Sequence, residues 1–248
     1  MRAGRIARNA LKALNDVYAK IKNIDGPYET IMPLATYAPW KTDASFKQVY
    51  EIIKNNTLVD PIQCYGLWSL VEESAKVEGA LLEIGVWRGG TGALIAKKSE
   101  LLGIRSTVYL CDTFCGVVKA TDKDNEYKGG EHADTSFAIV DNLVHNKLQL
   151  NNVKILKGVF PEDTFHIIKD EKLRFVHIDV DVYQSANDII GSIWQNINVG
   201  GIIAYDDYGF RDCKGITRHV NEQKVHKDRI VIHNLNGHGI IIKTNKST

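Results

Sequence analysis

From residue 80 to residue 207 the chain alternates short, unbroken apolar runs with stretches of helical periodicity. No other feature narrows the possible folds as much. The runs ALLEIGV (80–86), STVYLCD (106–112), NVKILKG (152–158), LRFVHID (173–179) and GGIIAYDD (200–207) lack the in-out alternation of a half-solvated strand. Such strands are buried on both faces, and predicted helices over 90–102, 134–147 and 184–196 supply the covers. The rhythm then breaks. DRIVIHNL and HGIIIKT flank Asn236-Gly237, a dipeptide suited to a tight hairpin turn. The expected fold is α/β, a doubly wound and mostly parallel seven-stranded sheet ending in an antiparallel hairpin. Upstream, helices are expected over 4–22, 44–55 and 61–77. Pro27, Pro33 and Pro39 make the segment between the first two irregular. Residues 1–79 therefore read as an N-terminal helical cap, and 80–248 as one domain.

Composition excludes several partners. With 31 basic and 30 acidic residues the formal charge is +1, so nothing favours nucleic acid. No stretch reaches the about 18 uninterrupted apolar residues of a membrane helix. The N-terminus, MRAGRIARNALKALNDVYAKIKNI, is basic and amphipathic. It reads as a leading helix packed on the domain or a partner, in a possible homodimer, or else as a transit peptide or membrane-surface helix. Cys64, Cys111, Cys115 and Cys213 match no zinc pattern and suit reduced thiols in a cytoplasmic protein.

In LLEIGVWRGGTGALIA a strand runs through a glycine-rich turn into a helix, and ligands of open α/β sheets bind beyond such strand ends. Gly85, Gly89 and Gly90 would let the backbone approach a ligand. The spacing fits neither the dinucleotide nor the Walker pattern, so a pyrophosphate is not expected. Glu83 would repel a phosphate and attract an amino group, though a surface carboxylate needs no ligand. Asp112 lies 22 residues past Gly90, where an acid takes ribose hydroxyls; capping a helix is its simpler role. Together, ribose, no phosphate and a zwitterionic tail describe S-adenosylmethionine.

Four aspartates end the next two strands: Asp179 and Asp181 in HIDVDVYQSA, Asp206 and Asp207 in IIAYDDYGF. Strand alternation would turn Asp179 and Asp181 to one side. Like charges gathered in a cleft call for a cation between them, and oxygen ligands suit Mg2+ or another hard divalent ion. The alternative is that all four cap helices or solvate loops. A cation here would lower the pKa of a substrate hydroxyl for attack on a sulfonium methyl, with alignment contributing much of the rate.

These four motifs, LLEIGVWRGGTGALIA, VYLCDTFCGVV, HIDVDVYQSA and GGIIAYDDYGF, resemble those of the macrocin O-methyltransferase (TylF-like) family over residues 57–245. The resemblance implies a class I, Rossmann-like, S-adenosylmethionine-dependent and metal-assisted enzyme that methylates a sugar hydroxyl of a small-molecule acceptor. It implies that Glu83, Gly85 and Asp112 serve the cofactor, with Val86, Trp87, Gly89, Thr113 and Asp179 around them. It also implies that Asp179, Asp206 and Asp207 hold the metal. The layout is similar to that of catechol O-methyltransferases, whose lysine base would fall at Val182 here. Asp181 is therefore the first candidate base and His177 the second, although a core histidine reads equally well. LKGVFPEDTF is expected to wall the adenine with Gly158, Phe160 and Asp163. Residues 113–135, polar and carrying Gly129-Gly130, read as a mobile lid bearing His132 as a further catalytic candidate. Its Lys119, Lys123 and Lys128 suit a phosphate-linked sugar or mere solvation. Two rivals remain. DVDV also fits an aspartate-dependent, magnesium-requiring phosphotransferase or phosphatase, and the fold could be an inactive cofactor-binding protein.

Overall fold

The computed structural model describes residues 2–21, 24, 26–29, 31 and 35–245. Its centre is a seven-stranded sheet in the order β3-β2-β1-β4-β5-β7-β6. Strands β1 (Ala80–Ile84), β2 (Val108–Asp112), β3 (Val153–Lys157), β4 (Leu173–Ile178) and β5 (Ile197–Tyr205) pair in parallel. The hairpin β6 (Arg229–His233) and β7 (Gly239–Lys243) joins β5 through β7, antiparallel, as the sequence predicts. Chain order reverses between β1 and β4, so a crevice opens past their carboxyl ends.

Every residue of β1 and β4 is buried, which accounts for their continuous apolar runs. Successive side chains feed opposite faces. Leu81 and Phe175 join one core with α2 (Ala44–Ile53), α3 (Pro61–Ser74) and α4 (Gly90–Leu101). Leu82 and Val176 join the other with α7 (Tyr183–Ile193) and α8 (Lys214–Glu222). Helices α2 and α3 start where aspartates cap them: Asp43 accepts from the Phe46 amide, Asp60 from those of Ile62 and Gln63. Phe46, Ile53, Leu67 and Trp68 of these helices lie in the same core as the sheet. Helix α1 (Arg2–Ile21) instead leaves Leu11, Leu14, Val17, Tyr18 and Ile21 exposed. Lys22 and Pro33 lie outside the described residues.

Three elements depart from expectation, the first being α6 (Phe165–Ile168), one unforeseen turn of helix between β3 and β4. The helix over 134–147 is α5 (Phe137–Asp141) followed by a π-helical turn at Asn142–Lys147. Helix α8, not foreseen, buries only Gly215, Ile216, His219 and Val220, too few apolar positions to announce it in sequence.

Candidate active site

A cavity of about 320 Å³ opens at the crevice, a size suited to a small-molecule site. It is lined by Gly85, Val86, Trp87, Asp112, Thr113, Gly158, Phe160, Asp179, Asp181, Asp206, Asp207 and His132. Glu83, Gly89 and His177, three of the predicted site residues, are not on its wall.

The glycines are required by protein packing. A Cβ on Gly85 would sit 1.6 Å from the Asp179 carbonyl oxygen, and one on Gly90 2.6 Å from that of Asn56. Their amides are also engaged, Gly85 N–H on Cys111 O and Gly90 N–H on Asn56 O. Gly89 adopts a φ of 87° and faces Val140. Asp112 is likewise engaged by protein groups. Its Oδ2 accepts from the amides of Val86 (2.7 Å) and Trp87 (2.8 Å), and Oδ1 from that of Phe114 (2.6 Å). A carboxylate has about four acceptor positions, so one stays open for a ribose hydroxyl beside these amides, not two. Asp163, expected at the adenine, accepts from the Val159 amide and packs under Gly158 instead.

Glu83 lies inside β1, wholly buried, rather than at the strand's end, and so cannot meet a ligand's amino group directly. Parallel pairing sets it opposite His177 on β4, with Oε1 2.8 Å from Nδ1. Its Oε2 and the Nε2 of His177 have no hydrogen-bond partner among the described residues. His177 is thereby corrected from a candidate base to a buried histidine beneath the pocket floor. Glu83→Ala should cost about 3 kcal/mol, combining an unpaired buried donor with a cavity. Urea unfolding reads this directly. Unchanged stability together with weakened cofactor binding would restore the predicted ligand role.

The aspartates converge, though not by strand alternation. β4 ends at Ile178 and β5 at Tyr205, so all four lie just past the strands. The Asp179 amide still donates to Ile84 O and the Asp206 amide to Ile178 O, extending the ladder by one residue. Asp181 (φ 63°) and Asp207 (φ 61°) adopt the left-handed conformation, which aspartate tolerates better than most residues. A Val182 N–H to Val180 O bond of 2.7 Å closes a tight turn over Asp181. Such conformations cost about 1–3 kcal/mol and concentrate at functional sites.

Oxygens of Asp179, Asp206 and Asp207 lie within 4.8 Å of one another. Burial, then repulsion from Asp206 and its neighbours, holds the carboxyls of Asp179 and Asp207 well above the usual range; burial also raises Asp181. Cys213 sits with Asp181 and Asp207, but burial and those acids push its thiol up, so it stays protonated. The all-oxygen set is the better match to a hard cation.

Residues 113–135 cover the cavity but are pinned rather than loose. Asp124 is buried and accepts from the Tyr183 amide and Thr121; Ser185 Oγ donates to Val118 O. This segment delivers Tyr127 to the cavity wall that Asp181 shares, next to His132, with ring centroids 6.0 Å apart. Tyr127 and the wall residues Asn56–Val59 and Gln63 carry no local sequence signal, since only the fold brings them here. The three lysines of the segment are spent elsewhere. Lys119 pairs with Glu162 and Asp188, Lys123 stacks on Tyr183, and Lys128 donates to Asn125 O.

The doubly wound sheet with a crevice at its switch point has the Rossmann-like fold of the solved O-methyltransferase NovP. That structure aligns with a TM-score of 0.65 at 24% identity, over 77% of this chain and 83% of its own. Residues 67–239 match the sequence model described as Macrocin-O-methyltransferase (TylF), and the chain belongs to that family of S-adenosylmethionine-dependent O-methyltransferases. Among relatives is the mycinamicin III 3''-O-methyltransferase of Micromonospora griseorubida, 28% identical over 71% of this chain and 74% of that protein. Another is the demethyldecarbamoylnovobiocin O-methyltransferase of Streptomyces niveus, 29% identical over 54% of each chain. This chain thus spans about half the length of the second.

Proposed function

We propose that this protein methylates a hydroxyl of an uncharged sugar or sugar-bearing natural product, using S-adenosylmethionine and a divalent cation, Mg2+, held by Asp179, Asp206 and Asp207. One observation carries this reading. The described cavity wall holds Asp112, Asp179, Asp181, Asp206 and Asp207 and no lysine or arginine. Beyond that one cation a phosphate would meet no positive group on this wall, whereas a sulfonium, an ammonium and a divalent ion are each favoured by it. The same fact counts against the phosphotransferase reading and against a nucleotide-linked acceptor. The complete acid set gives no support to an inactive binding protein.

The cofactor supplies an electrophilic methyl on its sulfonium, and the cation supplies Lewis acidity toward the acceptor hydroxyl. Asp179, Asp206 and Asp207 fix the direction from which that hydroxyl enters. Asp181, its carboxyl raised by burial, takes the proton, since a stronger carboxylate base is nearer to the acceptor's pKa. Tyr127 lies on the same wall as Asp181, with His132 beside them. Trp87, Phe160 and Val86 shield the transfer from water, and Asp112 accepts from one ribose hydroxyl. Residues 56–63, at the edge of the N-terminal cap, shape the acceptor side. The same reading makes this a cytoplasmic small-molecule enzyme without nucleic-acid or membrane partners, paired as a homodimer through the apolar side of α1. Among the described residues no helix is long and apolar enough to cross a membrane.

Labelled methyl transfer across neutral glycosides, nucleotide sugars and phenols tests this, with chelator and then added Mg2+. Transfer to a neutral glycoside, lost in chelator and restored by Mg2+, is expected. Activity confined to phosphate-linked sugars would overturn the acceptor class, and chelator-resistant activity would overturn the cation.

A further inference from the structure

We infer that His238 is a positioning residue: it holds one oxygen of Asp206 and leaves the other to face the cation. This rests on the cation site proposed above. Three independent features lead to it. First, the β5–β7 register pairs Tyr205 with Gly239, so the residue after Tyr205 and the residue before Gly239 meet across the ladder. They are Asp206 and His238, and Nε2 lies 3.2 Å from Oδ1. Both side chains are buried, and the N–H is not yet in line with the oxygen, leaving Nε2 without another partner among the described residues. A small swing of the carboxylate satisfies it, whereas a buried donor left unpaired costs about 1–3 kcal/mol.

Second, the hairpin turn fixes the imidazole tautomer. Oδ1 of Asn234 accepts from the amides of Asn236 (3.0 Å) and His238 (2.9 Å), so the side-chain amide can present only its NH2 group elsewhere. That group is 3.2 Å from Nδ1 of His238, which must therefore accept, and the ring proton of neutral His238 sits on Nε2, facing Asp206. This argues against a metal bound by His177, Asp206 and His238, although their ligand atoms also cluster within 4.8 Å. A ligating Nε2 would need its proton on Nδ1, against the Asn234 NH2 group.

Third, the ring has little freedom. A Cβ on Gly66 of α3 would lie 3.3 Å from Cε1 and Nδ1 of His238, so the helix leaves room for the imidazole and little more. From α3, Gln63 Nε2 also donates to Asp206 Oδ1, at 3.3 Å. Two donors from two elements thus converge on Oδ1, and Oδ2 is the oxygen left for the pocket. Partners of this kind behind a metal ligand typically change metal affinity about 10–100-fold.

Mn2+ titration of the full chain, followed by the paramagnetic resonance of free Mn2+, tests this. Asp179→Asn serves as the reference for the site itself. His238→Met, which keeps the ring's bulk without a donor, should weaken Mn2+ binding at least about 10-fold. His238→Gln, which can donate from near the Nε2 position, should recover most of it, and kcat should follow while KM for the cofactor holds. A merely structural histidine would lower the melting temperature in both variants and leave Mn2+ affinity alone. Normal Mn2+ affinity in His238→Met, with loss in Asp179→Asn, would overturn the inference. Normal affinity in both would overturn the cation site, and this inference with it. Tetrahedral Co2+ absorption lost in His238→Met would make His238 a ligand, which also overturns it.

Discussion

Asp179→Asn should lower turnover by about 10³-fold while S-adenosylmethionine still binds. The side chain keeps its size, so the backbone bond from Asp179 N–H to Ile84 O survives. What is lost is one of three converging carboxylates, and Lewis-acid assistance is worth several kcal/mol, at about 1.4 kcal/mol per tenfold in rate. Single-turnover transfer and calorimetry with the demethylated cofactor separate the two effects. Equal loss of both would make the residue structural. The protein without cation should respond in the opposite direction. Burial and like charges raise Asp179, Asp181 and Asp207 above ordinary carboxylates. A raised acid adds stability below its unfolded value, near pH 4, and loses it as pH rises through the folded value. In chelator, therefore, Asp179→Asn should melt higher than the parent, increasingly so from pH 5 toward pH 8, and Mg2+ should close the gap. A parent protein whose melting temperature does not respond to Mg2+ would contradict this.

Gly85→Ala should do the greatest damage to the fold. At φ 85° an L-residue is already strained, by roughly 1–2 kcal/mol. The larger cost is the Asp179 carbonyl oxygen, 1.6 Å from where the methyl would go. That oxygen belongs to the neighbouring chain segment and cannot move without parting β1 from β4. A loss above about 4 kcal/mol, or no folded protein at all, is expected. Gly103→Ala is the control: φ is 72° but nothing lies within 4 Å of the added methyl, so only the conformational cost of about 1–2 kcal/mol applies. Similar denaturation midpoints for the two variants would refute the steric argument.

The five parallel strands and the hairpin were legible because burial on both faces writes itself as unbroken Val, Ile and Leu, and because Asn236-Gly237 favours a hairpin turn. The acid cluster was legible for a related reason: two acid pairs follow apolar strands, and parallel pairing brings the ends of β4 and β5 to one edge of the sheet. What escaped were the parts that depend on contacts between distant segments. Glu83 looked like a strand-end ligand because no rule of spacing shows that β4 sets a histidine opposite it. Asp112 and Gly85 stood in the right places for reasons that proved local, three backbone amides and one carbonyl oxygen. Tyr127 sits in a polar loop whose composition suggested mobility, whereas one buried carboxylate, Asp124, ties that loop to the start of α7.

The shared core of α2, α3 and the sheet bears on how such an enzyme can acquire new acceptors. Asn56–Val59 and Gln63 face the cavity, while Ile53, Leu67 and Trp68, their near neighbours in sequence, are wedged against the sheet. Recognition and folding are thus encoded in one short segment, the connection from α2 to α3 and the two helices it joins. A transplant of residues 44–74 from a relative would also import a foreign half-interface, and the sheet face beneath would have to change with it. Stepwise drift at the few cavity-facing positions is the easier evolutionary route. Chimeras made by exchanging this segment alone should be insoluble more often than they are redirected.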